Sequence, residues 1–147
     1  MTTGLLGIAS ALGLGSAAGA KALAREVGAP RLRVVALGDA VARALEQAGH
    51  EAVRATLEND RIGLDDGAAD ALCASGLPEI DVAPRLLAEC ARVVKPGGRV
   101  LVATAAGLTR RGPERHVVTA VLLHAGLMDL TQRMSRGVLI TAGRVRR

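Results

Sequence analysis

Residues 86–104, LLAECARVVKPGGRVLVAT, hold a helix, a turn and a buried strand in nineteen positions. Leu86, Leu87, Cys90, Val93 and Val94 recur at helical spacing, with Arg85, Glu89 and Arg92 on the opposite face. Pro96 cannot continue the helix, and Gly97-Gly98 supplies the φ freedom for a sharp reversal. Val100, Leu101 and Val102 then form an unbroken apolar run, the pattern of a central strand covered on both faces.

Upstream, Ser75 to Pro84 contains two prolines and reads as a loop, and Ala69 to Ala74 as a short strand. Asn59 to Gly67 is polar and turn-rich. Glu51 to Thr56 alternates like a strand, and Arg33 to Leu37 reads as a buried one. Between them Val41, Ala44, Leu45 and Ala48 form a helical stripe that Gly49 ends. Ser16 to Val27 carries another stripe (Ala20, Leu23, Ala24, Val27), closed by Gly28-Ala29-Pro30. Leu5 to Leu12 is a short apolar run ahead of Gly13-Leu14-Gly15.

Downstream, Gly107 to Pro113 reads as a loop. His116 to Ala125 is nearly all apolar and is expected to be a helix buried on most of its surface. Leu127 to Met134 and Val138 to Val145 are strands joined by a hairpin at Ser135-Arg136-Gly137. Strands alternating with helices predict an α/β fold in three layers, a mainly parallel sheet with helices on both faces. The hairpin adds a C-terminal antiparallel edge. At 147 residues the chain is expected to be a single domain, 1–147.

Composition narrows the function classes. Phe, Tyr and Trp are absent, which argues against sites built on aromatic stacking. Residues 1–91 carry 8 basic and 12 acidic side chains, whereas residues 92–147 carry 11 basic and 2 acidic ones. The basic third reads first as a solvated face, and Arg110, Arg111, Arg115, Arg144, Arg146 and Arg147 make nucleic acid a second candidate partner. Cys73 and Cys90 lack metal-ligand spacing and read as buried thiols, in keeping with a reducing, cytoplasmic setting. The uncharged residues 1–20 have no basic start for a secretory signal, and their five glycines make a poor membrane span.

The segment Glu89-x-x-Arg92-Val93-x-Lys95-Pro96-Gly97-Gly98-Arg99 resembles the late helix, turn and strand of class I S-adenosylmethionine (SAM) methyltransferases. IGLDDGAADALCASGLP, Ile62 to Pro78, looks like that family's approach to its fourth strand, with Ala69 where an aromatic usually precedes Asp70. AGLMDL, Ala125 to Leu130, is similar to the opening of its sixth strand. The resemblance implies a Rossmann-like fold and SAM as cofactor, with no metal. It also implies a glycine-rich loop after the first strand, a supporting acid before that loop, and further acids after the second and third strands. The cofactor positions are Gly13, Gly15, Asp39 and Glu58 if Leu5 to Leu12 is the first strand, the preferred register. Ala11 then replaces the first acid, and Asp39 falls one place late. A second register makes Arg33 to Leu37 the first strand, with Gly38-Asp39 leading straight into a helix and no glycine-rich loop. In both registers the polar ligands of the cofactor are eroded.

No catalytic set stands out. His116 and His124 are roughly 12 Å apart by helix rise, too far to share a metal. His50 follows a helix-ending glycine and reads as a surface residue, and Asp65-Asp66 as a solvated turn. Ser75 has no flanking His or Asp to activate it. The expectation is therefore a degenerate methyltransferase-like domain, a pseudoenzyme that binds a protein partner or a second copy of itself. An active methyltransferase and a nucleic-acid-binding protein are the alternatives.

Overall fold

A computed structural model describes residues 17–28, 31–55, 57–58, 61–75, 83–105, 115–135 and 138–146. In chain order the elements are α1 (Ala17–Val27), β1 (Arg33–Leu37), α2 (Asp39–Gln47), β2 (Glu51–Ala55), β3 (Leu57–Glu58), β4 (Arg61–Ile62) and β5 (Ala69–Ser75). They continue as α3 (Ala83–Val93), β6 (Val94–Ala105), α4 (Arg115–His124), β7 (Leu127–Ser135) and β8 (Val138–Val145). Six strands form one sheet in the order β2-β1-β5-β6-β8-β7, and β3 and β4 form a separate antiparallel pair. β2, β1, β5 and β6 run parallel, while β8 is antiparallel to both β6 and β7.

The three-layer expectation holds because the central strands alternate their apolar side chains between two cores. Val35, Leu37, Leu72, Ala74, Val100 and Val102 face Leu86, Leu87, Cys90 and Val93 of α3 and Leu122 of α4. Val34, Ala36, Ala71, Cys73, Leu101 and Ala103 face Ala20, Leu23, Ala24 and Val27 of α1 and Val41, Ala42 and Leu45 of α2. Val100 to Ala103 are wholly excluded from solvent, as a strand covered on both sides must be. Burial pushes both thiols, Cys73 and Cys90, up to about 12, so they act as small apolar core groups.

The KPGG turn has a specific job. β5 advances two residues, Ala69 to Ala71, while β6 advances five, Val94 to Arg99, so Lys95–Gly98 bulges out of the ladder. Val94 thus belongs to the strand rather than the helix. Asp70 closes the bulge: one carboxylate oxygen accepts Lys95 Nζ at 2.6 Å, and the other accepts the Arg33 backbone N–H at 2.9 Å. Arg99 donates to the Val27 carbonyl at 2.9 Å, satisfying the end of α1.

A second buckle ties the β4 region to α3. Glu89 accepts the Ile62 N–H at 2.7 Å and Arg92 Nε at 2.7 Å. Arg92 also donates to the carbonyls of Leu64 and Ile62 and to Asp66, while its own carbonyl accepts the Gly67 N–H. Asp66 is exposed, but this pairing makes it part of the buckle.

Asp70 and Glu89 give the fold an acid limit. Hydrogen bonds from Lys95 and then Arg33 hold the Asp70 carboxyl below its ordinary value, and Arg92 does the same for Glu89. Both folded values lie below the unfolded ones, about 4, so this stabilisation is complete above that pH and is lost as pH falls through the folded values. Denaturant midpoints measured from pH 7 to pH 2 are expected to stay level and then drop below about pH 4. Asp70→Asn is expected to lower the neutral plateau and flatten part of that drop.

One expectation needs correcting, that for His50. Among the described residues β5 pairs with β1 and β6, so Arg33–Leu37 stands beside β5, whereas Leu5 to Leu12, the first strand of the preferred register, lies outside the described residues. Glu51–Ala55 is the outermost described strand on that side. His50 is buried, not on the surface: its Nδ1 accepts the Leu32 N–H at 3.1 Å, because the turn after α2 folds it beneath the start of β1. On α4, Leu122 is buried, whereas Ala120, Leu123 and His124 are exposed.

Candidate cofactor crevice

In a sheet of this kind ligands bind outside the carboxyl ends of the strands, where successive connections leave in opposite directions. That switch point lies between β1 and β5. β1 connects through α2 to β2 on one side, and β5 through α3 to β6 on the other. Leu37 and Ala74 are paired at the carboxyl end, which places Gly38, Asp39 and Ser75 at the crevice. Ser75 is buried there.

The connection at this point is one residue long. β1 ends at Leu37 and α2 begins at Asp39, so Gly38 alone makes the turn, at φ 118° and ψ 139°. Only glycine adopts that backbone without strain. A glycine-rich loop at a switch point works by letting several backbone N–H groups surround a ligand. A single residue cannot do so.

Asp39 is the one predicted cofactor residue whose side chain is described, and its carboxylate is already engaged. Oδ1 accepts Arg54 Nε at 3.2 Å, and Oδ2 pairs with Arg43 at 2.7 Å, one helical turn on. Arg54, on β2, also reaches Glu46 at 3.0 Å, so it links both ends of α2. The hydrogen bond from Arg54, then the charge of Arg43, holds the Asp39 carboxyl below its ordinary value. The group stays ionised, with its acceptor oxygens facing arginines. These pairs are solvent-exposed and add little stability. Their relevance is occupancy of the carboxylate.

Of the other predicted positions, Gly13 and Gly15 lie outside the described residues. The backbone of Glu58 lies in β3, paired with Arg61. Sequence reasoning missed Arg54 as the partner of Asp39. The Asp39–Arg43 spacing was a visible signal for a helix ion pair, whereas the Arg54 contact required β2 to be placed beside β1. Among the described residues no three His, Cys, Asp or Glu side chains group as a metal site, and no helix is long and apolar enough to cross a membrane. The KPGG bulge lies at the amino ends of β5 and β6, at the opposite edge of the sheet from the crevice.

The doubly wound sheet with its antiparallel C-terminal pair has the architecture of a Rossmann-like transferase. The model of the methyltransferase domain family matches residues 11–102, and the chain belongs to that family of class I SAM-dependent methyltransferases. Solved structures agree in fold. A SAM-dependent methyltransferase from Aquifex aeolicus superposes with a TM-score of 0.63 at 14% identity, covering 86% of this chain and 89% of that one. The 1,6-didemethyltoxoflavin-N1-methyltransferase of Burkholderia thailandensis, solved with S-adenosylhomocysteine, gives 0.62 at 15% identity over 89% and 78%. A methyltransferase of Haloferax volcanii, putative by its description and solved in complex with the Trm112 methyltransferase activator, gives 0.58 at 14% over 90% of each chain. No curated protein sequence matches the chain.

SAM is the cofactor this family implies. Of the positions expected to meet it, Asp39 has its carboxylate on Arg54 and Arg43, while Gly13 and Gly15 lie outside the described residues.

Proposed function

We propose that this chain is a methyltransferase-fold binding or scaffolding module that has lost SAM-dependent catalysis. The observation that carries the reading is the one-residue passage from β1 to α2, with Asp39 held by Arg43 and Arg54. A fold whose switch point is closed in this way keeps its two cores and its surfaces, and function on a fold resides in the site rather than the scaffold. The Haloferax neighbour is held by an activator protein, which supports a protein partner for a domain of this shape. The basic C-terminal third contributes less to the choice. Arg144 donates to the Gly97 carbonyl at 3.2 Å, and of the other five candidate arginines only Arg146 has a described side chain.

Calorimetric titration of the full chain with SAM, and separately with S-adenosylhomocysteine, tests the proposal. No heat of binding is expected up to millimolar ligand. Micromolar affinity for either compound would overturn the proposal and restore the reading as an active methyltransferase.

A further inference from the structure

We infer that the outer edge of β2 is an interface that pairs antiparallel with β2 of a second copy of the chain. Among the described residues the sheet has two edge strands, β2 and β7. β7 is guarded: its register with β8 breaks between Met128 and Thr131, and within that break Asp129 takes φ 53°. Bulges keep an edge strand from adding to another sheet.

β2 has no such guard. Its five residues run in unbroken register with β1, from Arg33↔Glu51 to Leu37↔Ala55. It contains no proline and no lysine, and both its charges are satisfied within the chain. Glu51 pairs with Arg33 at 3.2 Å, and Arg54 with Asp39 and Glu46. Among the described residues no strand lies outside β2. That leaves a flat edge with a row of backbone donors and acceptors.

The charge pattern favours a second copy. A two-fold axis perpendicular to the sheet and centred on Val53 places Val53 opposite Val53 of the other copy. Ala52 then faces Arg54, and Glu51 faces Ala55. No like charges meet directly, and each charged side chain lies opposite an alanine that leaves it room. Such an isologous contact closes at two copies and joins two sheets into one of twelve strands. The edge is short, so association is expected only in the micromolar range or above. The inference is independent of SAM binding.

Sedimentation velocity of the full chain over a concentration series is the test. The mass is expected to rise from the 15.0 kDa monomer towards twice that value. Ala52→Glu sets a carboxylate opposite Arg54 of the second copy and is expected to tighten the dimer about fivefold; Ala52→Lys is expected to weaken it by a similar factor. Both substitutions enlarge the same half-buried position, so opposite shifts cannot come from loss of folding. A chain that stays monomeric at every concentration would overturn the inference, whether because another protein or residues 1–16 of the same chain cover the edge. So would a dimer whose strength responds to neither substitution.

Discussion

Gly98→Ala is expected to destabilise the fold by about 3 kcal/mol, which for a chain of this size lowers the melting temperature by roughly 10 °C. A Cβ at this position would sit 2.5 Å from Val94 Cγ1 and closer still to the carbonyl oxygen of Asp70, with the Lys95 carbonyl at 3.0 Å. Two of these atoms are backbone, so relief requires moving the start of β6 away from β5. That movement would strain the Asp70 bonds to Lys95 and Arg33 as well. Gly97 provides the control. It sits at φ +84°, and a Cβ added there would meet open space, so Gly97→Ala incurs only the left-handed backbone penalty, about 1–2 kcal/mol. Thermal unfolding of the two variants separates the causes. Equal losses would show that the turn is limited by backbone conformation rather than by the approach of Asp70.

Glu89→Ala is expected to cost a similar amount, about 3 kcal/mol, for a different reason. The Glu89 side chain is only 14% exposed, and its loss strips the Ile62 N–H of its acceptor and Arg92 of one of its two counter-charges. The Arg92 guanidinium, 27% exposed, would keep Asp66 and the two carbonyls, but the hydrogen-bonded frame around residues 61–67 would be broken. Glu89→Gln retains an oxygen for Ile62 and gives up only charge, so about 1 kcal/mol is expected. Urea unfolding of both variants measures the difference. If the glutamine variant fell as far as the alanine one, the ion pair with Arg92 would be the main contribution and the bond to Ile62 a minor one.

Both predictions concern residues of a family marker, and they explain why that marker says little about chemistry. Glu89, Arg92, Lys95, Gly97 and Gly98 join α3 to the β4 region and let β6 pass Asp70. All of that happens at the amino edge of the parallel strands, whereas a cofactor would sit beyond their carboxyl ends. Selection for a stable sheet can therefore preserve the marker independently of the chemistry at the crevice.

Much of the architecture was legible in the residues before any coordinates. Periodicity placed the helices at Ser16–Val27 and Leu86–Val94 and the strands at Arg33–Leu37 and Ala69–Ala74, because a face that must be buried imposes its spacing on apolar side chains. The burial of His50 was not legible, because it follows from the turn that carries it under Leu32.

By itself the sequence determined the α/β class and the C-terminal antiparallel pair. These depend on local spacing and on which residue types are present. Only the tertiary structure decided that Arg33–Leu37 stands beside β5, a contact between residues nearly forty positions apart. The placing of β2 beside β1 brought Arg54 to Asp39. Strand neighbours are set by the packing of the whole sheet, and no local pattern of apolar and polar residues encodes them.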